Sequence, residues 1–201
     1  TASLSALLLV VSLTGGSAEV SFVAVAKTQA FAQFNPHIAL LDVEEESQDD
    51  PLSFEVVVQG SSEGGITSGE VSAGGTSLAL TPDGGSWYYS RRFESKEELD
   101  AAFPSSSTYE VTAGTSAGDA SFVLDFTADS YPNVPFITNW EVLQEAEAGG
   151  AITIEWDPFA GGDADDHISV GIDLGGPGGE GVFESPVPGE VGALDGTSNS
   201  I

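Results

Sequence analysis

The chain has 201 residues, of which 40% are apolar, enough to build packed cores in one large or two ordinary domains. Thirty-two Asp and Glu against four Lys and Arg give a net charge of -28, and no Lys or Arg follows Lys96. Such a chain repels phosphate backbones and anionic membrane surfaces, which excludes nucleic-acid binding; the absence of Cys excludes disulfides and thiolate metal sites.

Leu4 to Leu13 (LSALLLVVSL) is an unbroken run dominated by apolar residues, followed by the small residues Thr14 to Ala18. That is the pattern of a secretory signal, with Gly16 and Ala18 at the positions a signal peptidase reads, so residues 1–18 are expected to be a signal peptide cleaved after Ala18. The run is too short to span a bilayer, and the competing reading is a buried core strand. The basic segment that usually opens such a signal is missing, as is an initiator Met, so the sequence is read as lacking its first few residues. The expected location is secreted or cell-surface.

Glu19 to Phe34 opens with alternation, Val20, Phe22 and Ala24 against Ser21 and Val23, and predicts a first strand. Asp42 to Pro51 (DVEEESQDDP) is dense in acid; like charges at that density favour a solvated connection, although a cation-binding loop is conceivable there.

From Pro51 to Ala128 strand signals recur at short intervals. Phe54, Val56 and Val58 share a face, Gly74-Gly75 is a hairpin-like turn between short segments, and Pro82 to Gly85 is a turn by its chemistry. Ser86 to Phe93 predicts a strand with Trp87, Tyr89, Arg91 and Phe93 on one face and Tyr88, Ser90 and Arg92 on the other. Such aromatics serve either as core or as a sugar-stacking surface, with Trp87, Tyr88 and Tyr89 as the platform and Arg91 and Arg92 bonding hydroxyls. Ser95 to Phe103 predicts the one short helix, opened by a capping box of Ser95 and Glu98, pinned by Leu99, Ala102 and Phe103, and ended by Pro104. Tyr109, Val111 and Ala113, then Phe122, Leu124 and Phe126, are the inward residues of two further strands.

Tyr131 to Pro135 (YPNVP) is a stiff extended connector, and the domain boundary is set there: residues 19–130 form an acidic antiparallel β-sandwich and residues 136–201 a second, incomplete module. That module opens with Phe136 to Leu143 and continues with a predicted hairpin, AITIEWDP and HISVGIDL, joined by an acidic loop, with a further strand at Val182-Phe183. About four strands are available where sandwiches of this type use about seven.

At ITIEWDPF, with Trp156, Asp157 and Pro158, the second module resembles a fibronectin type III domain, although the Tyr usual in the following strand is absent from ISVGIDL. The whole layout, with its AAFP helix end (Ala101 to Pro104) and YPNVP connector, resembles uncharacterised secreted bacterial β-sandwich proteins carrying a fibronectin type III or Ig-like module. The resemblance implies an all-β fold and export, and no reaction.

Candidate chemistry is sparse. In GGDADDHI, Asp163, Asp165 and Asp166 cluster the hard oxygen ligands that Ca²⁺ prefers; the competing reading is a solvated hairpin tip. The loop departs from the repeat-in-toxin calcium pattern at Ala164, and Ile168 stands where an EF-hand needs Gly. His37 and His167 are the only His, and no Gly-x-Ser-x-Gly elbow occurs, so a catalytic triad is not expected; His167 is read as an exposed titrating side chain. The expectation is a non-catalytic exported protein with a surface, matrix or adhesion role, requiring no cofactor except a candidate Ca²⁺. Its candidate partners are polysaccharide or other surface proteins, and the alternative is a carbohydrate-binding module of a larger secreted enzyme.

Overall fold

The computed structural model of the chain describes residues 2–10, 19–35, 38–41, 52–62, 64–104, 107–126, 136–145, 150–161, 164, 166–174, 180–186 and 191–201. It is all-β, with two short helices among the described residues, and its sheets are mostly antiparallel. The chain divides into two compact units, residues 8–28 with 52–129, and residues 1–7, 29–51 and 130–201. The sequence reading expects residues 19–130 in one domain; residues 29–51 group here with the other unit.

The first unit is a β-sandwich. One sheet contains β2 (Val20–Asn35, of which residues 20–28 belong to this unit), β4 (Leu52–Gly60), β8 (Ser86–Phe93) and β7 (Thr81–Asp83), in that order. The other runs β10 (Gly118–Asp125), β9 (Thr108–Thr115), β5 (Ile66–Ala73), β6 (Thr76–Ala79). The two hairpin turns Gly74-Gly75 and Gly84-Gly85 have φ of 57° and 83°, and 54° and 95°, which an L side chain resists and glycine adopts freely. Between β6 and β7 the chain changes sheets at Leu80, whose N–H donates to the Gly69 carbonyl at 2.9 Å. A Cβ on Gly69 would stand 3.0 Å from the Leu80 Cβ and 3.3 Å from the Trp87 Cβ, so any side chain there would have to push its neighbours back.

Period-2 alternation then places the core. Phe54, Val56 and Val58 of β4 and Tyr109, Val111 and Ala113 of β9 are wholly buried, and Phe122, Leu124 and Phe126 join them from β10 and the residue after it. The ring of Phe54 stacks on Phe103 with centroids 3.6 Å apart and lies 5.3 Å from Tyr109, which in turn meets Phe126 edge-on at 5.2 Å. Helix α1 (Lys96–Ala102) makes the crossover from β8 to β9: Ser95 accepts the Glu98 N–H at 3.3 Å, and Leu99 and Phe103 are buried while Ala102 is exposed.

The second unit has fewer regular ladders. Here β1 (Ala2–Val10) pairs with β11 (His167–Leu174) from Ala2↔Ile172 to Leu7↔His167, and β12 (Glu180–Glu184) and β13 (Leu194–Asp195) also pair with β11. Residues Phe31 to Asn35 of β2 pair with β3 (Ile38–Leu41). The predicted hairpin between the Trp156 stretch and β11 is not formed. Instead Ile154 exchanges both backbone hydrogen bonds with Ile201, Trp156 donates to the Asn199 carbonyl, and Thr138 and Asp157 donate to Glu155 and Phe136. Phe136 to Leu143 is likewise no strand; it passes through one bridge at Ile137 into the short helix α2 (Trp140–Gln144). Trp156 is nevertheless core, packed with Ile137, Ile154, Phe159, Ile168, Val170 and Leu194, and its indole N–H donates to the Ser198 carbonyl at 2.9 Å. The acidic run at residues 42–51 and the connector at 131–135 lie outside the described residues.

Candidate functional site

The register of β8 on β4 decides what the aromatic strand can present. Trp87, Tyr89 and Arg91 stand opposite Val58, Val56 and Phe54, the inward residues of β4, so they share the core-facing side. Tyr88 and Arg92 stand opposite Val57 and Ser53 on the other face. The three rings Trp87, Tyr88 and Tyr89 therefore do not form one platform. Trp87 is half-buried, and its indole N–H donates to the Ile66 carbonyl of β5 at 3.2 Å, tying the two sheets together. Tyr89 meets Phe54 edge-on at 6.4 Å, and the Arg91 guanidinium stands 4.8 Å from the Phe93 ring centroid.

The other face of the sheet carries a polar row, in which Ser53 is itself buried. Thr28 of β2 hydrogen-bonds Ser53 of β4, and Ser53 Oγ donates to Glu55 Oε1 at 2.8 Å. Glu55 stands opposite Ser90, flanked on β8 by Tyr88 and Arg92. Burial pushes the Tyr88 hydroxyl up to about 12, and the Glu55 carboxylate adds to the rise because a second negative charge beside it is disfavoured. Tyr88, Glu55, Ser90 and Arg92 thus put one aromatic face, one anion, one cation and a hydroxyl on a single surface. Glu55 was not singled out by the sequence; the period-2 pattern of LSFEVVVQG marks it as outward, but its neighbour on β8 depends on register.

A second constellation gathers around Glu19. Its carboxylate accepts from Ser116 Oγ and from the Ala117 N–H at 3.3 Å, in the turn between β9 and β10, and its carbonyl accepts the Ser61 N–H at 2.9 Å. These hydrogen bonds, that of Ser116 foremost, hold the Glu19 carboxyl below the usual carboxylate range. Glu19 directly follows Ala18, the residue after which cleavage is expected; residues 11–18 lie outside the described residues.

Of the acidic loop, Asp163 and Asp165 lie outside the described residues. Asp166 is half-buried, and its carbonyl accepts the Gly196 N–H at 2.7 Å. Among the described residues no three His, Asp or Glu side chains gather as a metal site. His167 is half-buried rather than exposed: its Nδ1 lies 3.3 Å from the Leu194 carbonyl, a contact that makes that nitrogen the donor. Asp195 closes the neighbouring turn, accepting from the Thr197 N–H and hydroxyl and from Ser198 Oγ; these bonds, that of Thr197 first, hold its carboxyl below the usual range.

No protein-family model, curated protein or solved structure matches the chain. A functional reading accordingly has to be built from these residues alone.

Proposed function

We propose that the chain is a non-catalytic, exported, modular β-sandwich protein that serves a surface, matrix or adhesion role. One observation carries the reading: the residue that follows the expected cleavage is itself tied into the first unit. Glu19 anchors its own side chain and carbonyl to two separate turns, and Val20 and Val23 to Ala26 are buried immediately after it. A chain cut after Ala18 keeps all of these contacts.

The sheet orders add support. β2-β4-β8-β7 facing β10-β9-β5-β6 follows the A-B-E-D and G-F-C-C′ arrangement of immunoglobulin-type sandwiches, with β6 in the place of C′. Tyr109, near the start of the strand in the F position, sits where many such domains carry a Tyr. Domains of that architecture recur at cell surfaces. The test is to express the chain with and without residues 1–18 in a bacterial host, locate the product, and measure whether exported protein holds to cells or matrix. Retention inside the cell, or export with no surface or matrix association, would sink the reading.

The polar row favours one further reading, a carbohydrate-binding module. Its platform is then Tyr88 with Glu55 and Arg92, since Trp87 and Tyr89 belong to the core-facing side. Stacking by one Tyr face with paired charges to bind hydroxyls is suited to a polysaccharide chain. A glycan array run with Tyr88→Ala tests it: binding that persists unchanged in the variant, or no binding at all by the parent, removes it.

A further inference from the structure

Four cationic side chains serve the whole chain, and one of them is placed where water does not reach. The Lys27 side chain, in β2, has no exposed surface, and its Nζ lies 2.8 Å from Oδ1 of Asp100 in α1 and 6.0 Å from the centre of the Phe126 ring. Phe103, three residues after Asp100, stacks on Phe54, so the helix that carries the acid is fixed against the sheet that carries the amine. Asp100 differs from Lys27 in that its side chain is 38% exposed, so the pair reaches solvent through the acid.

We propose that Lys27 and Asp100 join through an amide, an intramolecular cross-link between β2 and α1. A nucleophile held against a carboxyl group by the fold needs no encounter; well-oriented intramolecular pairs reach effective concentrations of about 10⁵ M or more. The step balances within the pair. A proton passes from the ammonium to the carboxylate, the neutral amine attacks Asp100 Cγ, and the hydroxyl leaves with a second proton from nitrogen as water. One N–C bond forms and one C–O bond breaks. No oxidant, reductant or other reactant enters, and the exposed side of Asp100 is the exit for the water. The product replaces a charge desolvated in an aromatic core with a neutral amide, which removes the cost that burial imposes on an ion pair. It also closes a loop of 73 residues in a chain that has no Cys with which to do so. The inference stands apart from the surface role and from export.

Intact-mass measurement of the folded full chain, after denaturation, decides the matter. The expected result is a mass lower than the sequence by one water, about 18 Da. Asp83-Gly84 and Asp195-Gly196 can lose water by a different route, so fragmentation must locate the loss in a peptide joining Lys27 to Asp100. In Asp100→Ala the full mass should return, and Lys27 should become acetylable in the unfolded chain. An unmodified parent mass, a water loss mapped elsewhere, or a parent Lys27 that acetylates fully once unfolded overturns the proposal and leaves an ordinary buried ion pair.

Discussion

Two stretches of this chain carry similar alternating patterns and fold differently. Leu52 to Gly60 alternates Phe54, Val56 and Val58 against Ser53, Glu55, Val57 and Gln59, and pairs from Leu52 to Gln59 with Ser86 to Phe93. Ala151 to Asp157 alternates Ile152, Ile154 and Trp156, yet it makes only isolated bridges, and Ile152 is exposed. The difference lies in the partners. The first stretch has long neighbours on its sheet and a second sheet above it. The second finds a short turn on one side and the residues up to Ile201 on the other. Alternation specifies which side chains share a face, whereas the length of a ladder depends on what the rest of the chain offers.

The largest test of this contrast is Phe54→Ala. Phe54 is fully buried between Phe103 and Tyr109, so the loss should be about 3–5 kcal/mol in urea unfolding followed by tyrosine and tryptophan fluorescence. A loss under about 1 kcal/mol would mean that the sandwich does not rest on this aromatic cluster. In the other unit, Trp156→Phe keeps a ring but removes the indole donor to Ser198, and should cost about 1–2 kcal/mol by the same measurement. Ser95→Ala removes the cap on α1 and is expected to cost about 1 kcal/mol, with circular dichroism showing the strand signal unchanged.

Smaller effects appear as pH dependence. Tyr88 ionises near 12 when folded and near 10 when unfolded, so folding favours its protonated form; that stabilisation is complete below pH 10 and is lost as pH rises toward 12. Ultraviolet titration should show an alkaline tyrosinate step that Tyr88→Phe removes. Glu19 runs the other way. Its folded carboxyl is lowered from 4.5, so its contribution is present above that pH and lost as pH falls through the folded value. Glu19→Gln should lower the melting midpoint at pH 8, where the ionised carboxylate contributes, and flatten its fall on the acid side, so that variant and parent converge at low pH. An unaltered acid limb would detach Glu19 from the turn at Ser116.

Much of the first unit was legible because its signals are local. The Gly74-Gly75 turn, the Ser95 cap and the inward triplet Tyr109, Val111 and Ala113 each follow from a few neighbouring residues, and each is present. The pairing of the Trp156 stretch with residues 199–201 and the helix at Trp140 were not legible, because those bridges join positions far apart in sequence and no local pattern encodes them. The candidate surface was half legible. Period-2 alternation already divided Trp87 from Tyr88, but only the register on β4 brings Glu55 beside Tyr88. Lys27 was not legible at all, because its buried ion pair is with Asp100, 73 residues away.

We propose that the chain is exported and that Glu19, tied into the sandwich by its side chain and its carbonyl, becomes its first residue. N-terminal sequencing of the exported protein tests this most directly. The predicted sequence begins Glu-Val-Ser-Phe, from Glu19. An exported chain that still carries Ala2 to Val10, or one cut beyond Val20 so that Glu19 and its contacts to Ser61 and Ser116 are lost, would contradict it.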